Sequence, residues 1–189
     1  MKDHILISIR ITIALLVLTC GIYPAAVWAV GQVAFHDRAN GSLLHRDGKV
    51  IGSELIGQSF TSERFFHSRP SAAGKDGYDG TASTGTNFGP TSQKLRDTVA
   101  DAVKHYDVHT NVPADAVTSS GSGLDPHISP ENAYAQAPRV ARANGLPIAD
   151  LRAMIAQRTE GRFLGIYGEP RVNVLLLNLD IETAKKKSP

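Results

Sequence analysis

Apolar residues fall into one long block near the start of the chain and into short, spaced groups after it. From Ile11 to Phe35 no charged residue occurs, about 25 positions, where roughly 20 suffice to cross a ~30 Å hydrocarbon core. Lys2 and Arg10 precede the block, so the positive-inside bias keeps that end in the cytoplasm and sends the rest across. The pattern predicts a cytoplasmic terminus over 1–10, a transmembrane helix over 11–33 and a single extracytoplasmic domain over 34–189. A cleaved secretory signal is the rival reading, with Pro24 as breaker and Val27-Trp28-Ala29 as the small-residue site. Against it, the uncharged run continues through Val30, Gly31, Val33 and Phe35, and Tyr23 and Trp28 suit an interfacial aromatic belt. One helix encloses no pore, because conduction needs several elements around a polar interior.

Beyond the block the periodicity changes repeatedly. Ser42-Leu43-Leu44 and Val50-Ile51 flank Asp47-Gly48, a dipeptide that favours a tight hairpin. Residues 71–90 are rich in Gly, Ser and Thr, a stretch long enough to be either mobile or functional. Pro90 and Thr91 open a helix whose apolar face is Leu95, Val99, Ala102, Val103 and Tyr106. Ser129-Pro130-Glu131 is a second helix start, with a capping hydroxyl, proline at the first helical position and an acid against the positive end. Pro138 should kink or break that helix, and Gly145 should cap it. A further helix from about Pro147 presents Ile148, Leu151, Met154 and Ile155 as a buried stripe and stops by Gly161. Val172 to Leu179 is a nearly continuous apolar run after a Gly-Glu-Pro turn and is expected to be a buried strand. The fold class is therefore α+β: an N-terminal transmembrane helix followed by one mixed α/β domain.

Composition narrows the function classes. Some 150 residues follow the apolar block, enough for one domain with its own core. Cys20, the single cysteine, lies inside the block, so no disulfide holds the domain. Formal net charge is +2, with acids and bases interspersed. No basic stripe with interleaved aromatics marks a nucleic-acid binder. The Lys185-Lys186-Lys187 tail is expected to be a solvated, frayed terminus.

The densest local chemistry runs from Ser119 to Pro130. Ser120, Gly121, Ser122 and Gly123 offer a nest of amide N–H groups to an anion, or else form a turn leading into a capped helix. Ser122, Asp125 and His127 are the right residue types for a nucleophile, base and orienter, but no G-x-S-x-G turn surrounds them. Asp125 and His127 with His67 or His109 are potential metal ligands; capping and surface roles are the commoner use of such isolated groups. Arg69, fixed ahead of Pro70, is placed to clamp an anion or a partner's carboxylate, with a loop ion pair as the alternative. Gly80 and Gly85 have P-loop spacing, but Thr86 stands where the lysine belongs, so that match fails.

The chain resembles the KdpC family, the small single-span subunit of the bacterial Kdp potassium-transporting ATPase. The resemblance is carried by Tyr23-Pro24, Ala39-Asn40-Gly41-Ser42-Leu43, Gly52 to Gln58 with Phe60, and Phe66-His67-Ser68-Arg69-Pro70-Ser71-Ala72. It continues with Ser120 to Ser129, Gln136 with Arg139-Val140-Ala141, Gly168 to Leu175, and Leu177-Asn178. One departure is Thr84-Gly85-Thr86-Asn87, where the family usually reads Gly-Gly-Ser-Asn. The resemblance implies a non-catalytic subunit that stabilises a four-part pump and promotes ATP binding by the ATPase subunit, a catalytic chaperone. It implies three partners, a potassium-channel-like subunit, a P-type ATPase subunit and a small single-span subunit, in the inner membrane. ATP enters only through this resemblance, and the charge rule places the domain on the opposite, periplasmic side. The chain lacks the Asp-Lys-Thr-Gly sequence of a P-type phosphorylation site and the Thr-Val-Gly-Tyr-Gly potassium filter. A free-standing exported enzyme or solute-binding domain is the competing class.

Overall fold

A computed structural model describes residues 2–106 and 111–187, which fall into two compact units, Met1–Leu43 and Leu44–Pro189. In the first unit α1 (Lys2–Leu16), a π-helical segment (Val17–Ile22) and α2 (Tyr23–Ala34) form one continuous helix. Its 33 residues make about 50 Å at 1.5 Å per residue, longer than a ~30 Å hydrocarbon core. The helix thus begins well before Ile11, carries Arg10 within it, and runs unbroken through Val27-Trp28-Ala29. The π segment has an identifiable cause in Pro24. Proline lacks an N–H, and its ring crowds the carbonyl four residues back, so the preceding turn opens. Tyr23 N–H accordingly bonds Leu18 C=O, five residues back. Thr19 Oγ1 donates to Leu15 C=O at 2.7 Å, satisfying its hydroxyl within the helix. A short α3 (His36–Ala39) follows.

The second unit opens with the hairpin β1 (Leu43–Arg46) and β2 (Lys49–Ser53). Asp47 (φ 50°) and Gly48 (φ 74°) both lie in the left-handed region, as a tight two-residue hairpin turn demands. No helix or strand occurs between Phe60 and Ser92. α4 (Gln93–His105) starts two residues later than Thr91, because the Ser92 hydroxyl caps it by accepting from Leu95 N–H. Its five apolar-face residues are the half-buried ones. α5 (Ala114–Val117) and β3 (His127–Ile128) lead to α6 (Pro130–Asn144), capped by Ser129. The helix does not break at Pro138: this residue and Tyr134 share the exposed face, where solvent can reach the carbonyl that proline leaves unbonded. Gly145 (φ 67°) ends it, and the bonds Gly145 N–H to Arg142 C=O and Leu146 N–H to Ala141 C=O form a Schellman cap.

α7 (Ile148–Arg158) buries Leu151 and Ile155, half-buries Met154 and leaves Ile148 exposed. β4 (Thr159–Glu160) and β5 (Arg171–Asn173) complete a three-stranded antiparallel sheet in the order β3-β5-β4, with Ile128 and Thr159 both opposite Val172. The strand expected over Val172 to Leu179 is therefore only three residues long. Asn173 ends it: its Oδ1 accepts from Leu176 N–H at 3.1 Å and caps α8 (Val174–Lys187). The apolar run continues at helical spacing through Leu177 to Ile181, and the basic tail expected to fray remains helical through Lys187. Phe66, Val140, Leu151, Ile155, Val172, Leu177 and Ile181 belong to one core packed between α6, α7, α8 and the sheet.

Candidate functional site

Arg69 is brought to the site by a segment that leaves a turn at Ser62–Phe65 and runs on through residues 66–70 without joining a sheet. Two side-chain amides replace the missing strand partner. Phe66 N–H donates to Asn178 Oδ1 at 2.8 Å, and Asn178 Nδ2 donates back to Phe66 C=O at 3.0 Å. His67 makes the same pair with Gln136, at 2.7 and 3.1 Å. Arg139 Nη1 then donates to the carbonyls of Glu63 (2.7 Å) and Phe65 (3.0 Å), and its Nη2 to Gln136 Oε1 (2.8 Å). Gln136, Arg139 and Asn178 are buried, so the side-chain ends of these bonds are largely shielded from water. The buried Phe66 ring between them ties the segment to the core.

Past Phe66 and His67 the segment is held by Ser68 Oγ donating to Gln58 C=O (2.8 Å) and Tyr78 Oη donating to Arg69 C=O (2.6 Å). Burial is the main influence raising the Tyr78 hydroxyl's pKa, which suits a donor that stays protonated. The Arg69 guanidinium, half-buried, faces Asp125 Oδ2 at 3.2 Å and the carbonyls of Thr118 and Ser119 at 3.4–3.5 Å. Asp125 Oδ1 accepts from His127 N–H at 3.0 Å, and the His127 ring stands 3.4 Å from the same oxygen. Arg69 thus meets Asp125 and His127, more than 50 residues further along the chain, in one cleft of about 700 Å³ that is also lined by Asp115, Glu169 and Arg171.

Burial is the largest influence on Asp125 and acts upward. It is outweighed by hydrogen bonding from His127 and the nearby Arg69 charge, so the carboxyl sits below its ordinary value. A depressed carboxyl contributes stability above its unfolded pKa, here near 3.8, and loses it as pH falls toward the lower folded value. The melting difference between the wild-type chain and Asp125→Asn should therefore be full at pH 6 and shrink below about pH 4. A difference that is unchanged down to about pH 3 would rule out this carboxylate as a source of acid lability.

Ser120, Gly121, Ser122 and Gly123 lie beside the cleft but do not line it. Gly123 N–H donates to Ser120 Oγ (2.9 Å) and Leu124 N–H to Ser122 Oγ (3.1 Å), so one amide of the nest and the amide that follows it already have partners within the turn. Among the described residues no hydrogen bond joins Ser122 to His127. The loop 71–90 packs on this turn: Ser71 Oγ donates to Gly123 C=O (2.6 Å) and Ser83 Oγ to Ser122 C=O (3.0 Å). Among the described residues no group of three or more His, Cys, Asp or Glu is placed to hold a metal ion, and His109 lies outside them.

Sequence reasoning missed Asp115, whose carboxylate accepts from Ser129 N–H (2.7 Å), Ser129 Oγ (2.8 Å) and Asn132 Nδ2 (3.0 Å) at the start of α6. No local pattern announces it. It gave no supporting role to Tyr78, whose partner is a main-chain carbonyl, or to Gln136, which stood inside a recognised block and whose main-chain partners lie 69 residues away. Glu169 and Arg171 lay inside a recognised block without a role. In the cleft the acids Asp115, Asp125, Glu131 and Glu169 outnumber Arg69 and Arg171, an unfavourable field for a polyphosphate.

Comparison with known proteins agrees along the whole length. The family described as "KdpC: K+-transporting ATPase, c chain" matches residues 5–183. A protein of Gemmatimonas aurantiaca named "Potassium-transporting ATPase KdpC subunit" is 49% identical, over 100% of this chain and 97% of its own. A Mycobacterium tuberculosis protein of the same name is 50% identical over 96% of this chain and 99% of its own. A third, from Koribacter versatilis, is 48% identical over 96% and 95%. With the apolar helix and the α+β domain both inside the matched region, this chain belongs to the KdpC family of potassium-transporting ATPase subunits.

Proposed function

We propose that this chain is the accessory subunit of an ATP-driven potassium uptake pump, anchored in the inner membrane by its N-terminal helix with residues 44–189 in the periplasm. It stabilises the assembly with a channel-like subunit, a P-type ATPase subunit and a small single-span subunit, and it raises the ATP affinity of the ATPase subunit. The observation that carries this reading is the family match over anchor and domain together. The sequence supports the division of labour, since neither a phosphorylation site nor an ion filter is present. The charge of the cleft supports an indirect route to ATP rather than a nucleotide seat on this chain. Indirect action requires that the subunit bind the ATP-competent state of the pump more tightly than the other. A tenfold gain in ATP affinity corresponds to about 1.4 kcal/mol of such preference.

The test is potassium-stimulated ATP hydrolysis by the pump with and without this subunit. Without it, activity should fall and the ATP concentration for half-maximal rate should rise at least severalfold. The isolated chain should hydrolyse no ATP. Protease added to intact spheroplasts should remove residues 44–189 and reproduce that defect, while protease added to inverted vesicles should leave the domain intact. A pump indifferent to the subunit would overturn the accessory role, and a domain cut only from the cytoplasmic side would overturn the orientation.

A further inference from the structure

Between β4 and β5 the chain projects a small hairpin whose tip has no use inside this protein. Phe163 and Tyr167 form an antiparallel bridge, with Phe163 N–H donating to Tyr167 C=O at 2.8 Å and Tyr167 N–H to Phe163 C=O at 3.0 Å. Ile166 N–H donates to Phe163 C=O at 3.1 Å and closes the turn. At its apex Leu164 (φ 53°) and Gly165 (φ 73°) are both left-handed. Asn or Asp before Gly is the ordinary choice for such a turn, because a side chain like leucine is strained there. Phe163, Leu164, Ile166 and Tyr167 are nevertheless 71, 74, 71 and 65% exposed, none of them in the core. A strained, hydrogen-bonded turn that displays four large apolar side chains is a preorganised knob.

The charges around the knob decide what covers it. On the two arms that carry the knob, Arg162 pairs with Glu169 (2.7 Å) and Arg171 with Glu160 (3.0 Å). Two arginines against two acids leave the surround balanced and mutually paired. A loop that seats on anionic headgroups carries surplus cations instead. An apolar centre ringed by compensated polar groups is the composition of a protein–protein contact, with aromatic anchors at its middle. We propose that the Phe163–Tyr167 tip inserts into an apolar cleft on another subunit of the same pump and is a principal contact by which this chain joins the assembly. This rests on the reading of the chain as a pump subunit.

The test uses the full chain co-expressed with the other pump subunits, with a benzophenone amino acid in place of Ile166. Irradiation in native membranes should give an adduct with another pump subunit, identified by mass. Adducts with lipid alone would reassign the tip to the bilayer, and adducts with a second copy of this chain would reassign it to self-association; either overturns the proposal. In parallel, Leu164→Asn keeps the turn, relieves its strain and removes the apolar apex. It should leave the melting temperature of the chain unchanged or raised while lowering co-purification of the other subunits at least tenfold. Wild-type recovery by Leu164→Asn and by Phe163→Ser would defeat the docking role. If the wild-type chain itself fails to bring down the other subunits, the accessory-subunit reading falls first, which keeps the two failures apart.

Discussion

Gln136→Leu should destabilise the domain by about 3–5 kcal/mol, although leucine nearly matches glutamine in size. The substitution removes the partner to His67 N–H and C=O, the acceptor for Arg139 Nη2 and the donor to Asn132 Oδ1 in one step. Each such group is buried or nearly so, and losing a partner there costs about 1–3 kcal/mol, with the sum reduced by local relaxation. For a domain of this size the apparent melting temperature of the full chain should drop by roughly 10 °C. Gln136→Glu is the informative companion. It still accepts from His67 N–H and Arg139 and loses only the two donations, to His67 C=O and Asn132 Oδ1, so its loss should be smaller. Equal losses for both variants would show that the acceptor bonds matter little and that the clamp is not built as described.

How far the sequence carried depended on whether the deciding interaction was local. The Asp47-Gly48 turn, the Ser129 cap, the Gly145 stop and the apolar face of α4 are written in a few neighbouring residues, and each was legible. α8 was misread because a short apolar run has no distinguishing period. The evidence for a helix was Asn173 as a cap and Ile181 one turn on from Leu177. Pro138 was expected to interrupt α6, yet it falls on the solvent face, and which face is outside is not knowable before the core is assembled. Of the candidate site, Arg69, Asp125 and His127 were picked by residue type, and the structure brings all three into one cleft. Their supports were invisible. Gln136 and Asn178 act as substitute strand partners for a segment 69 and 112 residues away, and no spacing rule encodes that. The hairpin tip was missed for the opposite reason, since Phe163 to Tyr167 reads as ordinary apolar sequence until its exposure is seen.

Gly123→Val should be as damaging as the loss of the clamp, and Gly121→Ala, two residues away, should be nearly silent. Gly123 has φ +68°, and a Cβ there would stand 2.6 Å from Thr84 O and 2.8 Å from Ala73 N, both main-chain atoms. Ala73 is fully buried, so the neighbour cannot simply retreat. Left-handed strain of about 1–3 kcal/mol and the clash act together, and a loss of at least about 3 kcal/mol is expected. A Cβ at Gly121 meets nothing within 4 Å, so the change there should stay within about 0.5 kcal/mol. The pair separates the two readings of the Ser120 to Gly123 turn. A turn whose amides serve its own serine hydroxyls and whose glycine seats the 71–90 loop should fail by unfolding, detected as a lowered melting temperature and lost assembly in step. A Gly123→Val chain that melts and assembles like wild type, yet no longer supports nucleotide-dependent activation of the pump, would mean that the turn serves a ligand and that its packing is incidental.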